Sequence, residues 1–155
     1  MKTVNLNQRA IDFLLYEFLD TESLLSRERY AEHSRESFDA TINGAKNIAE
    51  KYYGNHYNKG DAEEPVFDGD SVTLIPEIQA AWDATAEFGL LGASYDFEEG
   101  GVQLPEVICK VCGTYIQAAN SGSSGYYFVT AAASNVIRAF GNNKQKSLFL
   151  SSMMD

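Results

Sequence analysis

Proline, cysteine, histidine and tryptophan are all scarce: 155 residues hold three, two, two and one of them. Each shortage closes off a class of protein. Two cysteines cannot build a disulfide framework, and Cys109-Lys110-Val111-Cys112 offers only half the ligands of a tetrahedral zinc site. His33 and His56 fall at no spacing that completes one, so no metal site is expected. A thioredoxin-type pair would need a βαβ setting; on a helix these cysteines are i, i+3 neighbours, expected as reduced thiols in or near the core. No apolar run approaches the roughly 18 to 20 residues of a membrane span. The opening stretch Met1-Lys2-Thr3-Val4-Asn5-Leu6-Asn7 lacks the apolar region of a signal peptide, and the expectation is a cytoplasmic protein without membrane insertion. Positive charge is short too. Twelve Lys and Arg face 22 Asp and Glu, a net charge of -10. Such a surface repels phosphate, which argues against nucleic acid and anionic membranes as partners.

What is present is apolar and helical in its spacing. Hydrophobic residues make up 45% and aromatics 12%, enough for one domain with a real core. Ile11, Leu14, Leu15 and Phe18 fall on one helical face. Asp20 to His33 reads as a turn and a broken helical piece. Ser34 is placed to cap a second helix, whose inner face is Phe38, Ile42, Ala45, Ile48, Ala49 and Tyr52, ending at Gly54-Asn55. Residues 55 to 73 are rich in turn residues and read as a long excursion with a tight hairpin at Asp68-Gly69. Pro76 opens a helix through Ile78, Ala81, Trp82, Thr85 and Phe88 that closes at Gly89. After a loop from Gly92 to Leu104, Pro105 opens another through Val107, Ile108, Val111, Cys112, Tyr115 and Ile116. A final pair spans Tyr126 to Phe140 and Asn143 to Met153. The fold class is therefore all-α: a bundle of about five to six helices, one domain over 1–155. Between Tyr126 and Ile137 there is no charge, so that helix should be central in its bundle or covered by something else.

Few residues suggest chemistry. Asp61, Glu63, Glu64, Asp68 and Asp70 lack the calcium-loop pattern and read as a solvated loop. Glu98-Glu99 beside Gly100-Gly101 reads as loop, since adjacent side chains point apart. Gly122-Ser123-Ser124-Gly125 precedes a helix and could approach a ligand closely, but it has no neighbouring Lys or Arg and no preceding strand. No Ser-His-Asp or Cys-His set can be assigned, and no catalytic residue is expected.

An ordered series of short motifs carries a resemblance. Val72-Thr73-Leu74-Ile75-Pro76-Glu77, Trp82 and Gly89-Leu90-Leu91-Gly92-Ala93 resemble the N-terminal helical domain of the acyl-CoA dehydrogenase family. So do Glu98-Glu99-Gly100-Gly101-Val102-Gln103-Leu104-Pro105 and the run Ala131 to Ile137 followed by Phe140-Gly141-Asn142-Asn143-Lys144-Gln145-Lys146. No single motif is specific; their order across residues 66 to 150 is. The excursion Phe67 to Val72 resembles an insertion of the longer members.

The resemblance implies a layout of N-terminal helical, middle β and C-terminal helical domains. Flavin adenine dinucleotide (FAD) would sit between the latter two, with a glutamate from the C-terminal part as base. The expectation is a chain truncated before the flavin-binding β-domain, a fragment inactive alone. Its whole enzyme would oxidise acyl-CoA to 2-enoyl-CoA, commonly as a homo-oligomer. By position, Ser124, Gly125, Phe128 and Ala132 would face the acyl tail, and the bulk of Tyr126, Tyr127 and Phe128 would shorten that pocket. The alternative is a stand-alone helical protein, binding or vestigial, without catalysis.

Overall fold

The computed structural model describes Val4 and residues 6–154. Seven α-helices and one small hairpin follow one another among these residues. The class is all-α, as expected. The first helix, α1 (Gln8–Asp12), is capped by the Asn7 side chain and runs into a π-helical segment, Phe13–Phe18. Two 3-10 turns, Thr21–Ser26 and Glu28–Tyr30, form the broken stretch. Ser34 caps α2 (Arg35–Ile48) in a reciprocal box with Ser37, and α2 continues as a π-helical segment, Ala49–Tyr53.

These π segments correct two expectations. An i→i+5 bond joins the Leu19 amide to the Leu14 carbonyl, so the chain turns with more residues than an α-helix. The 3.6-residue phase is lost: Leu15 is buried, Ile11 is half-buried, and Leu14 and Phe18 are 50% and 70% exposed. Likewise the inner face of α2 does not end on Tyr52. Tyr53, five residues after Ile48, takes the buried place.

The excursion holds an unexpected short helix, α3 (Tyr57–Ala62), and the expected hairpin. Strands β1 (Val66–Phe67) and β2 (Val72–Thr73) pair antiparallel, Val66 opposite Thr73 and Phe67 opposite Val72. The loop is closed by Asp68, whose Oδ1 accepts the amides of Asp70 (2.9 Å) and Ser71 (2.8 Å).

Helix α4 (Pro76–Glu87) starts on its proline. It is followed by the loop bearing a 3-10 turn, Phe97–Glu99. Then come α5 (Glu106–Ala119), α6 (Ser124–Phe140) and α7 (Asn143–Met154). The centre of the molecule is the pairing of α2 with α5, the most extensive helix contact. Phe38 and Ala45 on one side and Ile108, Cys112, Tyr115 and Ile116 on the other are completely buried.

Helix α6 is not central. Its buried side chains are Ser124, Tyr127 and Ser134, while Val129, Val136 and Phe140 stand 69%, 58% and 86% exposed. Its missing charge leaves a bare apolar outer face, continued on α7 by Leu148 and Phe149.

Candidate functional site

A cavity of about 370 Å³ opens between α5 and α6. Leu90, Leu91, Ser94 and Tyr95 wall it from the loop after α4. Glu106, Cys109 and Lys110 come from α5, and Tyr127, Phe128, Ala131, Ala132 and Asn135 from α6. The α6 set follows helical spacing, so one stripe of that helix makes the wall. Burial, above all, pushes the Cys109 thiol up to about 12 and raises the Tyr127 phenol. Both are neutral at physiological pH, as is Cys112, pushed up to about 12 by the same cause. The two charged residues on the wall, Glu106 and Lys110, are exposed and pair with each other at 3.6 Å.

One end of the wall is fastened by a charged clasp. The Arg138 guanidinium donates from Nε to Glu99 Oε2 (2.7 Å) and from Nη2 to Asp96 Oδ2 (3.1 Å). It also lies over the ring of Tyr95, 4.6 Å from the centroid. The buried Tyr95 hydroxyl donates to Ser134 Oγ at 2.7 Å. Arg29 grips the same loop through Asp96 and the Ser94 carbonyl. The loop itself needs its second glycine. A Cβ at Gly101 would lie 2.3 Å from the Tyr95 carbonyl oxygen. Glu98-Glu99 is loop chemistry as expected, with Glu99 recruited into the clasp.

The other end rests on a buried polar network. The Asn120 side chain donates to the Tyr53 carbonyl (3.1 Å), and the Tyr53 hydroxyl meets Thr85 Oγ1 (2.9 Å). His56, 1% exposed, has Nε2 2.6 Å from Ser123 Oγ and Nδ1 2.9 Å from Asn55 Oδ1. With the Asn55 oxygen facing the ring, Nδ1–H donates and Nε2 accepts the serine proton. This ordering resembles a nucleophile, base and orienting group, which the sequence spacing did not reveal. The amides of Ser123, Ser124, Gly125 and Tyr126 give it no oxyanion site, because each is already used. Ser123 N donates to Asn120 Oδ1 and Ser124 N to the Asn120 carbonyl. Gly125 N goes to the Gly122 carbonyl and Tyr126 N to that of Ser123. The trio is a clamp on the start of α6.

A flavin's pyrophosphate needs free amides or cations; this glycine-serine turn has no Lys or Arg, and its amides from Ser123 to Tyr126 are already engaged. A second cavity of about 300 Å³ beside it is lined by Asn120, Ser121, Gly122, Ser123 and Tyr126 among others, with no Lys or Arg. This turn and the cavity beside it supply no cation for a flavin's pyrophosphate.

Residues 35–155 match the family model described as acyl-CoA dehydrogenase, N-terminal domain. The chain belongs to the acyl-CoA dehydrogenase family. No curated protein matches it in direct sequence comparison. Within this dehydrogenase domain, Phe128 and Ala132 line the α5–α6 cavity, Phe128 half-buried and Ala132 exposed. Ser124 and Gly125 do not line it. Ser124 is buried with its hydroxyl donating to the Ser121 carbonyl (2.9 Å), and Gly125 is half-buried. Tyr95 joins the wall without any motif having marked it; Cys109 and Asn135, which also line it, lie in stretches singled out for other reasons. No helix among the described residues is long and apolar enough to cross a membrane.

Proposed function

We propose that the chain is the N-terminal part of a flavin-dependent enzyme that oxidises an acyl-CoA thioester to its 2-enoyl product. In this reading the α5–α6 cavity walls the acyl tail. The supporting observation is the cavity's lining: neutral thiol, aromatic rings and small side chains within a domain of this family. Such a wall suits methylenes, each worth about 0.8 kcal/mol when buried. Phe128 and Ala132 would touch the tail, while Ser124 and Gly125 would fix where α6 begins. The chain's work is to bind, orient and exclude water. The α-proton and β-hydride would be handled by groups beyond the described residues, where the family's FAD and the subunit contacts of a homo-oligomer also belong.

The test is Phe128→Ala in the complete dehydrogenase, assayed with saturated acyl-CoAs of increasing length. Removing the ring should raise kcat/KM for longer chains by about fourfold per accommodated methylene, the equivalent of that group's worth. An unchanged length preference would reject the acyl-wall reading.

A further inference from the structure

We propose that Gly113 of α5, which need touch no substrate, sets the usable depth of the α5–α6 cavity by giving the Phe128 ring its seat. The proposal rests on the acyl-wall reading. Gly113 is buried inside a 14-residue helix, where glycine is a poorer choice than alanine because it surrenders more backbone freedom. A steric cause resolves this. A Cβ at position 113 would stand 3.2 Å from Cε1 and 3.3 Å from Cζ of Phe128, and 3.6 Å from the Tyr127 ring. The first two contacts are tighter than a methyl group ordinarily tolerates, so the Phe128 ring would have to move.

Its direction of escape is limited. The Tyr127 ring, itself buried, packs against Phe128 with centroids 5.2 Å apart. Close-packed neighbours do not yield readily, whereas the cavity that Phe128 borders is open space. A methyl group at 113 thus drives the ring into the cavity and shortens it. Gly113 and Phe128 form one steric unit, in which the small residue on α5 decides how much room the large residue on α6 leaves.

The experiment uses the intact enzyme carrying Gly113→Ala, Phe128→Leu, or both. Two readouts are taken: kcat/KM across straight-chain acyl-CoAs, and alkylation of Cys109 by N-ethylmaleimide followed by mass spectrometry. Cys109 lines the same cavity, so its reaction rate reports room there independently of turnover. Gly113→Ala should lower kcat/KM for the longest accepted chain by about tenfold, leave the shortest unchanged, and slow Cys109 alkylation. In the Phe128→Leu background, which lacks the ring atoms nearest the added methyl, Gly113→Ala should change neither readout. That comparison also serves if Gly113→Ala alone fails to fold. Slower alkylation with an unchanged length profile would mean the seat exists but the cavity holds no acyl tail, which overturns both readings. A length profile that moves with Phe128→Leu but not with Gly113→Ala overturns the inference and leaves the acyl wall standing.

Discussion

The α2–α5 pair and the α6–α7 pair are built from similarly apolar sequence, yet they spend it differently. On α2 and α5 the apolar stripes face each other, and their central residues have no exposed surface. On α6 and α7 most apolar side chains face outward or line a cavity, and α6 touches α4 and α5 over far less of its length. Hydrophobic content alone therefore does not say where a core is. The first pair is closed on itself. The second presents a cavity wall on one face and a bare apolar stripe on another, held in place by polar fittings at both ends. That division suits a domain whose stability comes from one half and whose function comes from the other.

The strongest way to break the comparison is to cut a methyl-rich side chain out of the closed half. Ile108→Ala removes a residue of 0% exposure from the α2–α5 contact. The expected loss is about 2–5 kcal/mol, the range for a large-to-small change where the walls cannot collapse. Denaturant unfolding followed by circular dichroism measures it. A loss below about 1 kcal/mol would mean this interface is not the main core.

The next effects lie in the fittings of α6. Burial, foremost, holds the His56 imidazole below its ordinary 6.5; Glu77 works against this shift and Lys59 adds to it. Since the folded state prefers the neutral ring, its contribution is complete above 6.5 and is lost as pH falls through the lower folded value. Unfolding free energy should decline from pH 7 to pH 5, and His56→Gln should flatten that decline. The carboxylates of Asp96, Glu99 and Glu77 are held low chiefly by Arg29, Arg138 and Lys59 respectively. They act in a separate window, below their ordinary 3.8 to 4.5. A pH profile that is flat between 7 and 5 in the parent chain would remove His56 from the clamp. At the other end, Arg138→Ala should cost about 1 kcal/mol, combining a partly screened ion pair with the lost contact over Tyr95. A double-mutant cycle with Glu99→Gln reads the pair directly, and a coupling near zero would show the clasp to be ornamental.

Legibility in the sequence followed the same divide. Ser34, Pro76 and Pro105 mark helix starts through local chemistry, and the inner face of α2 follows from spacing, so the closed half could be read directly. The phase error at Leu14 and Phe18, and the exchange of Tyr52 for Tyr53, arise because an i→i+5 turn is imposed by packing and leaves no local mark. Helix α3 has no clear mark in the sequence because Asn58 and Gly60 are poor helix formers; Lys59 bonded to Glu77 at 2.7 Å ties it to α4 instead. Phe128 and Ala132 were reachable through the family resemblance. The His56–Ser123 bond joins residues 67 apart, and the Gly113 seat is a fact about the space between two helices. Neither has a pattern along the chain.

The smallest expected change in stability carries the last discrimination. Phe140 is 86% exposed on α6, and Val136 beside it is 58% exposed. Phe140→Ser in the 155-residue chain should alter unfolding free energy by no more than about 0.5 kcal/mol, because the ring is already in water. It should nevertheless reduce binding of a hydrophobic dye or self-association, since the ring lies on an outward apolar stripe. Gel filtration and dye fluorescence on the same samples separate the two. If Phe140→Ser instead costs as much as Ile108→Ala, the stripe is covered in solution. The two halves of the molecule would then differ only in which chain supplies the cover.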